Sequence, residues 1–499
     1  MNLTAVSTLL LSASLISSLS AQSVSGVLPG KVLFPNSCSE AAQRPFNLGL
    51  LALHNFEYAD AAELFAQTRS ADPHCAIASW GEAMTYWHEL WEAPDAGAIA
   101  AGKAAVNLAQ GQEQHATPRE KSYIAAIAAY YLPPAGIKGA DAYTARMKAL
   151  HAAYPADSQA TLFYALALIA TEPDEHAARL AQAREAGALA GQIFKAEPWN
   201  PGAAHYMIHA YDEPELAQQA LAAARAYAKI APDAPHALHM PAHIFVQLGL
   251  WQEDVDSNLA SYRAASRAAG HLDQRLREEL HALNFLQYAQ LQLGQFAAAT
   301  KTTGLMVQIA RAHPGARNEN SLYGVAWQMP IETEDWASVA AIPAPDSSAD
   351  KFWQAEYAWL QTMAAGELRQ PERATEWLSK YRSAEQAAKP GPDEDKPMLL
   401  VMEQEAEGWE AFARGDSKAA ITSMQAADRS EADPMSGIYP RKPAKEMLAD
   451  MQLALGHKKE AAANYRAVLE QHQGRRLSKL DLRRPKSEHA RSRSAMWRG

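Results

Sequence analysis

Seventeen histidines lie along the 499-residue chain, and five of them fall in two short segments. One reads Gly202-Ala203-Ala204-His205-Tyr206-Met207-Ile208-His209 and the other His236-Ala237-Leu238-His239-Met240-Pro241-Ala242-His243. Residues three and four apart share one face of a helix. His205 and His209 therefore present two imidazoles together, and so do His236, His239 and His243. Neutral imidazole is a ligand for zinc, copper, iron or nickel, and pairs at this spacing recur in metal sites. Helices pack about 8–10 Å apart, so pairs on facing helices can converge on one point. His54, His88 and His281 are secondary candidates. Each ring taken singly also reads as a buried, hydrogen-bonded residue or a peptide contact. Tyr206, Tyr211, Asp212 and Glu213 stand close enough in sequence to support the rings or to handle protons, and equally read as turn or surface residues. Pro241 removes a helical hydrogen bond inside the second segment and predicts a kink there.

The elements that must hold these rings are helices. From about residue 40 to 473, apolar residues recur at three- and four-residue spacing in a background of Ala, Leu, Gln, Glu, Lys and Arg. Gly and Pro breaks recur at short intervals, at Pro73, Pro198, Pro201, Pro232, Gly249, Gly294, Pro314, Gly415 and Gly456. Leu48-Gly49 with Ala61, Phe65 and Pro73 fits the 34-residue tetratricopeptide pattern, and Leu453-Ala454-Leu455-Gly456 with Ala461 and Tyr465 fits it again. Leu248-Gly249 and Leu291-Gln292-Leu293-Gly294 mark two further hairpins. The predicted fold is an all-α, tetratricopeptide-like solenoid of stacked helical hairpins. An unrelated helical bundle is the alternative. The histidine segments fall in the first helix of their hairpins, the helix that lines the inner face of such arrays. The predicted divisions are a signal peptide over 1–21, a helical array over 32–340, a second array over 348–473 and a basic, unfolded tail over 474–499.

Apolar residues make up 48% and charged residues 20%, which excludes disorder as the default state. The net charge of −10 argues against nucleic acid as a partner. Leu9 to Ile16 form a short apolar run followed by small residues, which reads as a secretory leader cut near Ser20 or Ala21, although no Lys or Arg precedes it. No stretch reaches the length of a membrane span. Export places the protein in the periplasm or outside the cell, where Cys38 and Cys75, the only two cysteines, can form a disulfide. Two free buried thiols are the alternative. No nucleophile elbow, phosphate loop or dinucleotide fingerprint is present, and His88-Glu89-Leu90-Trp91-Glu92 lacks the second histidine of a zinc-protease motif.

Several strings carry a resemblance: Phe34-Pro35-Asn36-Ser37-Cys38, Asp72-Pro73-His74-Cys75-Ala76, Tyr86-Trp87-His88-Glu89-Leu90-Trp91, Thr117-Pro118-Arg119-Glu120-Lys121-Ser122-Tyr123-Ile124, His205-Tyr206-Met207-Ile208-His209 and His239-Met240-Pro241-Ala242-His243-Ile244. Over roughly residues 32–470 the chain resembles large bacterial, often exported, tetratricopeptide-repeat proteins with a histidine-rich middle. The resemblance implies a helical solenoid and no settled reaction. Such relatives often carry His where this chain has Asn284, and the basic tail departs from their pattern.

Three functions fit. The leading expectation is an exported scaffold that binds a protein, peptide or ligand in its concave groove, with a His-rich metal site beside it; Trp80, Tyr86, Trp87, Trp91 and Tyr206 suit such a groove, although a helical aromatic stripe is more often core. The alternative is a metal-dependent redox or hydrolytic enzyme on the same solenoid, using zinc, copper or iron held by His205, His209, His239 and His243. The third is an envelope assembly factor whose basic tail meets anionic lipid.

Overall fold

The computed structural model describes residues 30–91, 93–347, 349–388, 395–431 and 441–483. The expected signal peptide and residues 484–499 of the basic tail lie outside the described residues. All regular structure among the described residues is helical. The helices run α1 (Glu40–His54), α2 (Tyr58–Ala71), α3 (Ala76–Met84), α4 (Ala96–Gly111), α5 (Pro118–Tyr131), α6 (Gly139–Ala153), α7 (Ser158–Ile169) and α8 (His176–Ala196). They continue as α9 (Pro201–Ala210), α10 (Ala217–Ile230), α11 (Pro235–His239), α12 (Pro241–Gln247), α13 (Trp251–Ala265), α14 (Leu272–Gln292), α15 (Phe296–Ala312) and α16 (Ala316–Thr333). The last are α17 (Lys351–Glu367), α18 (Pro371–Ala388), α19 (Asp395–Arg414), α20 (Ser417–Ser430), α21 (Ala444–Ala454), α22 (Lys458–Gln471) and α23 (Arg476–Arg483).

Consecutive helices pack as hairpins, and each hairpin packs on the next. The chain is thus a tetratricopeptide-like helical solenoid, as its periodicity predicts. Local chemistry sets the helix starts. Thr117 accepts the Glu120 N–H while the Glu120 carboxylate accepts the Thr117 N–H at 2.7 Å, and Pro118 occupies the first helical position. The other Glu120 oxygen accepts the Ser37 N–H at 2.9 Å, which ties the segment ahead of α1 to α5. Cys38, in that segment, is disulfide-bonded to Cys75 at the start of α3, with 4.8 Å between Cα atoms.

First helices of successive hairpins also touch one another: α7 packs on α9, α9 on α12 and α11 on α14. The curl is tight enough that α1 meets α9. His54, Trp80, Phe163 and Tyr206 are fully buried where this curl closes. The aromatic residues expected to line an open groove therefore behave differently. Trp80, Trp87 and Tyr206 are core residues, and only Tyr86 and Trp91 stay partly exposed. Trp80 packs on Phe34 and Tyr123, Trp87 on Tyr130 and Tyr143, and Tyr206 on His54, so each fills a seam between helices.

The expected unfolded tail is also corrected at its start. Gly474 to Arg483 are folded. Gly249, in the left-handed region at φ +63°, leaves no room for a Cβ beside the Gln473 carbonyl, and the Trp251 indole N–H donates to the Gly474 carbonyl at 3.1 Å. Arg475 is buried between Glu332 and Glu446, each 2.7 Å away, and donates to the Tyr288 hydroxyl at 2.7 Å. Pairing of this kind makes a buried guanidinium tolerable, and it is hidden in a run that reads as uniformly basic.

Candidate metal centre

Helix α9 begins with the Asn200 side chain accepting the Gly202 N–H at 3.2 Å and with Pro201 at its first position. Gly202 lets this helix close on α1. A Cβ there would come within 2.4 Å of the His54 ring. Further on, Pro241 has no N–H to continue the ladder, so α11 ends at His239 and α12 starts at Pro241. Met240 between them keeps helical angles (φ −51°, ψ −35°), so His239 and His243, four residues apart, stay on one face with their rings in contact.

Two groups of three histidines result. His205 and His209 of α9 meet His236 of α11, and His239 and His243 meet His281 of α14. Within each group the ligand nitrogens all lie within 4.8 Å of one another. His205 Nε2 is 3.0 Å from His209 Nε2 and 3.0 Å from His236 Nε2. His239 Nε2 is 3.0 Å from His243 Nε2. Four of the six rings are buried, while His209 and His281, one in each triad, are partly exposed.

The hydrogen bonds on the far side of the rings decide where the protons sit. His205 Nδ1 lies 2.6 Å from the His54 carbonyl oxygen and must donate to it. His243 Nδ1 donates to Asp212 Oδ2 at 2.7 Å. His239 Nδ1 is 2.7 Å from Asn258 Oδ1. The Asn258 amide nitrogen donates to the Asp254 backbone carbonyl at 3.1 Å and to Asp254 Oδ1 at 2.6 Å, and the carbonyl, which can only accept, fixes Asn258 Oδ1 as the acceptor. A neutral imidazole has one N–H. Nε2 of His205, His239 and His243 is therefore a bare lone pair. With both rings neutral, His239 and His243 point two such lone pairs at each other across 3.0 Å. Two bonds of 2.0–2.1 Å at a tetrahedral angle put ligand nitrogens about 3.3 Å apart, close to this separation.

Burial favours the neutral form of five of the six rings. It drives His205 and His281 down to about 3, and His209, His236 and His239 well below the ordinary imidazole value, with neighbouring rings adding to the effect on the last three. Burial alone would raise Asp212, but His243, Gln247 and His209 outweigh it and hold the carboxylate below its usual range. A carboxylate on the far nitrogen of a ligand histidine fixes the tautomer and strengthens the donor.

All six rings are among those singled out by spacing, with His281 only in second place. Asn284 does not complete the second triad. His281, one turn earlier, does so. His54 stands beside the first triad without joining it: Nε2 is 2.6 Å from Gln159 Oε1, Nδ1 accepts from the Tyr206 hydroxyl at 2.8 Å, and its carbonyl orients His205. His88 stacks on Tyr58 at 4.3 Å between centroids and lies outside both triads. Asp212 and Tyr206 support rings, whereas Glu213 pairs with Arg179 at 3.2 Å. Asn258 and Asp254 give no sign in the sequence because they sit on α13, the second helix of the hairpin. Phe56 gives none either. Its backbone is left-handed (φ +59°), a costly state for an aromatic residue, and its ring packs on His205 at 4.4 Å and stacks on His236 at 5.4 Å. Phe285 closes the other triad, 4.8 Å from His239 and 5.1 Å from His243.

No family model matches the chain, and no curated protein matches it. Among solved structures it is similar to the P58(IPK) TPR domain, at 15% identity and a TM-score of 0.23, over 88% of this chain and 96% of that one. It is also similar to the Naa15/Naa10 structure bound to HypK-THB, at 12% identity and a TM-score of 0.22, over 85% of this chain and 67% of that one. At those scores the likeness adds nothing to what the helices themselves show.

Proposed function

We propose that this chain is a metalloprotein whose solenoid positions two three-histidine sites, each taking one transition-metal ion such as zinc, copper or iron. The facing lone pairs of His239 and His243 carry the reading. Two neutral acceptors held 3.0 Å apart repel each other unless a proton or a metal ion lies between them, and a metal ion satisfies both rings with their far-side hydrogen bonds kept. The aligned far-side partners, Asp212 and Asn258, are the kind that ligand histidines require. Three protein ligands per ion leave a coordination position for water or substrate, the pattern of catalytic rather than structural sites. A metal-dependent enzyme is therefore preferred to a pure scaffold. The Cys38–Cys75 disulfide supports an oxidising compartment, in line with export.

Elemental analysis of the purified chain, beside a His239→Ala/His243→Ala variant, tests this. Two equivalents of metal per chain are expected. The variant should keep its helical circular dichroism and lose at least one equivalent. Absence of metal after purification and after reconstitution overturns the reading, and the remaining partly exposed aromatics, Tyr86 and Trp91, would then direct the search toward a peptide partner.

A further inference from the structure

We infer that the two triads form one dinuclear copper centre that binds dioxygen between its ions. The inference rests on the metal reading above and adds to it that the sites are coupled, which metal they hold and what they bind. Coupling is written into the fold. Helix α11 sends His236 to one triad and His239, three residues on, to the other. Asp212, which follows the helix carrying His205 and His209, orients His243 of the opposite triad. Rings of different triads approach to 6.4 Å between centroids for His209 and His243 and 6.5 Å for His236 and His239. Two ions held by these rings would be neighbours, the arrangement that two-metal sites use.

The donor set favours copper. All six candidate ligands are imidazoles, and neither triad contains a carboxylate or a thiolate. Ions that prefer oxygen are poorly served, imidazole suits copper, and Cu(II), the form reached on oxidation, stands at the top of the affinity order of divalent ions. The surroundings limit charge. Phe56, Tyr227 and Phe285 pack on the rings, and Asp212 is the one carboxylate hydrogen-bonded to a ligand ring among the described residues. Two Cu(I) ions bring half the charge of two divalent ions into this pocket, where unpaired charge is costly. Each three-coordinate ion keeps an open position, and a ligand that fills both at once is diatomic. Each Cu(I) gives one electron to dioxygen, which becomes a bridging peroxide with both oxygen atoms retained and the O–O bond reduced to single order. The two ions become Cu(II). No proton or outside reductant enters, and the reverse step returns dioxygen.

The chain is loaded anaerobically with Cu(I), freed of excess metal and exposed to oxygen. One dioxygen taken up per two coppers is expected, with an O–O stretch that shifts with oxygen-18 and no electron paramagnetic resonance signal from the coupled pair. His209→Ala and His281→Ala, one per triad, should each keep helicity, hold about one copper and lose dioxygen uptake. Two bound coppers with no uptake, or oxidation to magnetically isolated Cu(II), overturns this inference and leaves the metal reading standing. Displacement of Cu(I) by equimolar zinc overturns the copper assignment in the same way. Failure to retain any metal overturns both.

Discussion

Asp212 lies just beyond the helix that supplies His205 and His209, yet its Oδ2 accepts the Nδ1 proton of His243, 2.7 Å away in the other triad. One residue thus links the two sites through a hydrogen bond rather than through a shared ligand. Asp212→Asn keeps the shape and can still accept the proton, but it removes the charge that strengthens His243 as a donor. A loss of about 10–100-fold in metal affinity is expected at the second triad, with a smaller change at the first. Competition titration with a chromophoric chelator resolves the two affinities. Equal losses at both sites would mean that Asp212 sets the packing of α9 against α12 and does not act on one ring.

Close approach of α9 to α1 gives the next expectation. A methyl group at position 202 would meet the His54 ring at 2.4 Å, and that ring is held on both nitrogens by Tyr206 and Gln159. The ring has nowhere to turn, so the helix must move. Gly202→Ala should cost about 1–3 kcal/mol. Because the His54 carbonyl orients His205, the shift should also weaken metal binding at the first triad. Thermal unfolding and metal titration of the same variant check both effects.

The helical repeat is legible in the sequence because its signals are local. Spacing of apolar residues and Gly and Pro breaks act within one or two turns. The histidine pairs at 205/209 and 239/243 are legible for the same reason. What joins them is not. Whether His54, 151 residues before His205, ends beside it depends on how tightly the hairpins curl, and curl is a sum of small angles at many interfaces. Asn258 is invisible for a related reason, since an amide on an outer helix has no pattern until its neighbour is known. Phe56 shows the limit most clearly. A left-handed phenylalanine breaks a local rule, and the ring packing on His205 and His236 that holds it there belongs to the tertiary structure.

Glu89 sets a pH dependence. Burial pushes its carboxyl up to about 8, with the Tyr58 hydroxyl donating to it at 3.0 Å. Above about pH 4.5 the unfolded chain ionises this group while the folded chain keeps its proton, so its contribution is full below that pH and is lost as pH rises through about 8. The buried histidine His54 works in the opposite sense. Its value, lowered to about 4 by burial, gives a contribution present above the ordinary 6.5 and lost as pH falls through about 4. Glu89→Gln should therefore match the parent near pH 4.5 and exceed it by a few kcal/mol near pH 8.5, the gap widening by about 1.4 kcal/mol for each pH step of one between those limits. Thermal melts of the metal-free protein across this range decide it. Parallel curves for parent and variant would show that Glu89 ionises freely in the folded chain.

Arg475 tests how the C-terminal part is held. Its guanidinium lies 2.7 Å from both Glu332 and Glu446, and Glu446 also accepts from the Ser478 hydroxyl at 2.6 Å. Arg475→Met fills similar volume but leaves two buried carboxylates without their cation. Breaking a buried pair from one side costs about 3–5 kcal/mol, more than the pair itself contributes. Adding Glu332→Gln and Glu446→Gln removes the stranded charges and should recover most of that loss. The order of melting temperatures, parent and triple variant above the single variant, is the expected outcome. A triple variant no better than Arg475→Met would show that the geometry of the guanidinium, through its hydrogen bond to Tyr288, holds α23 against α14.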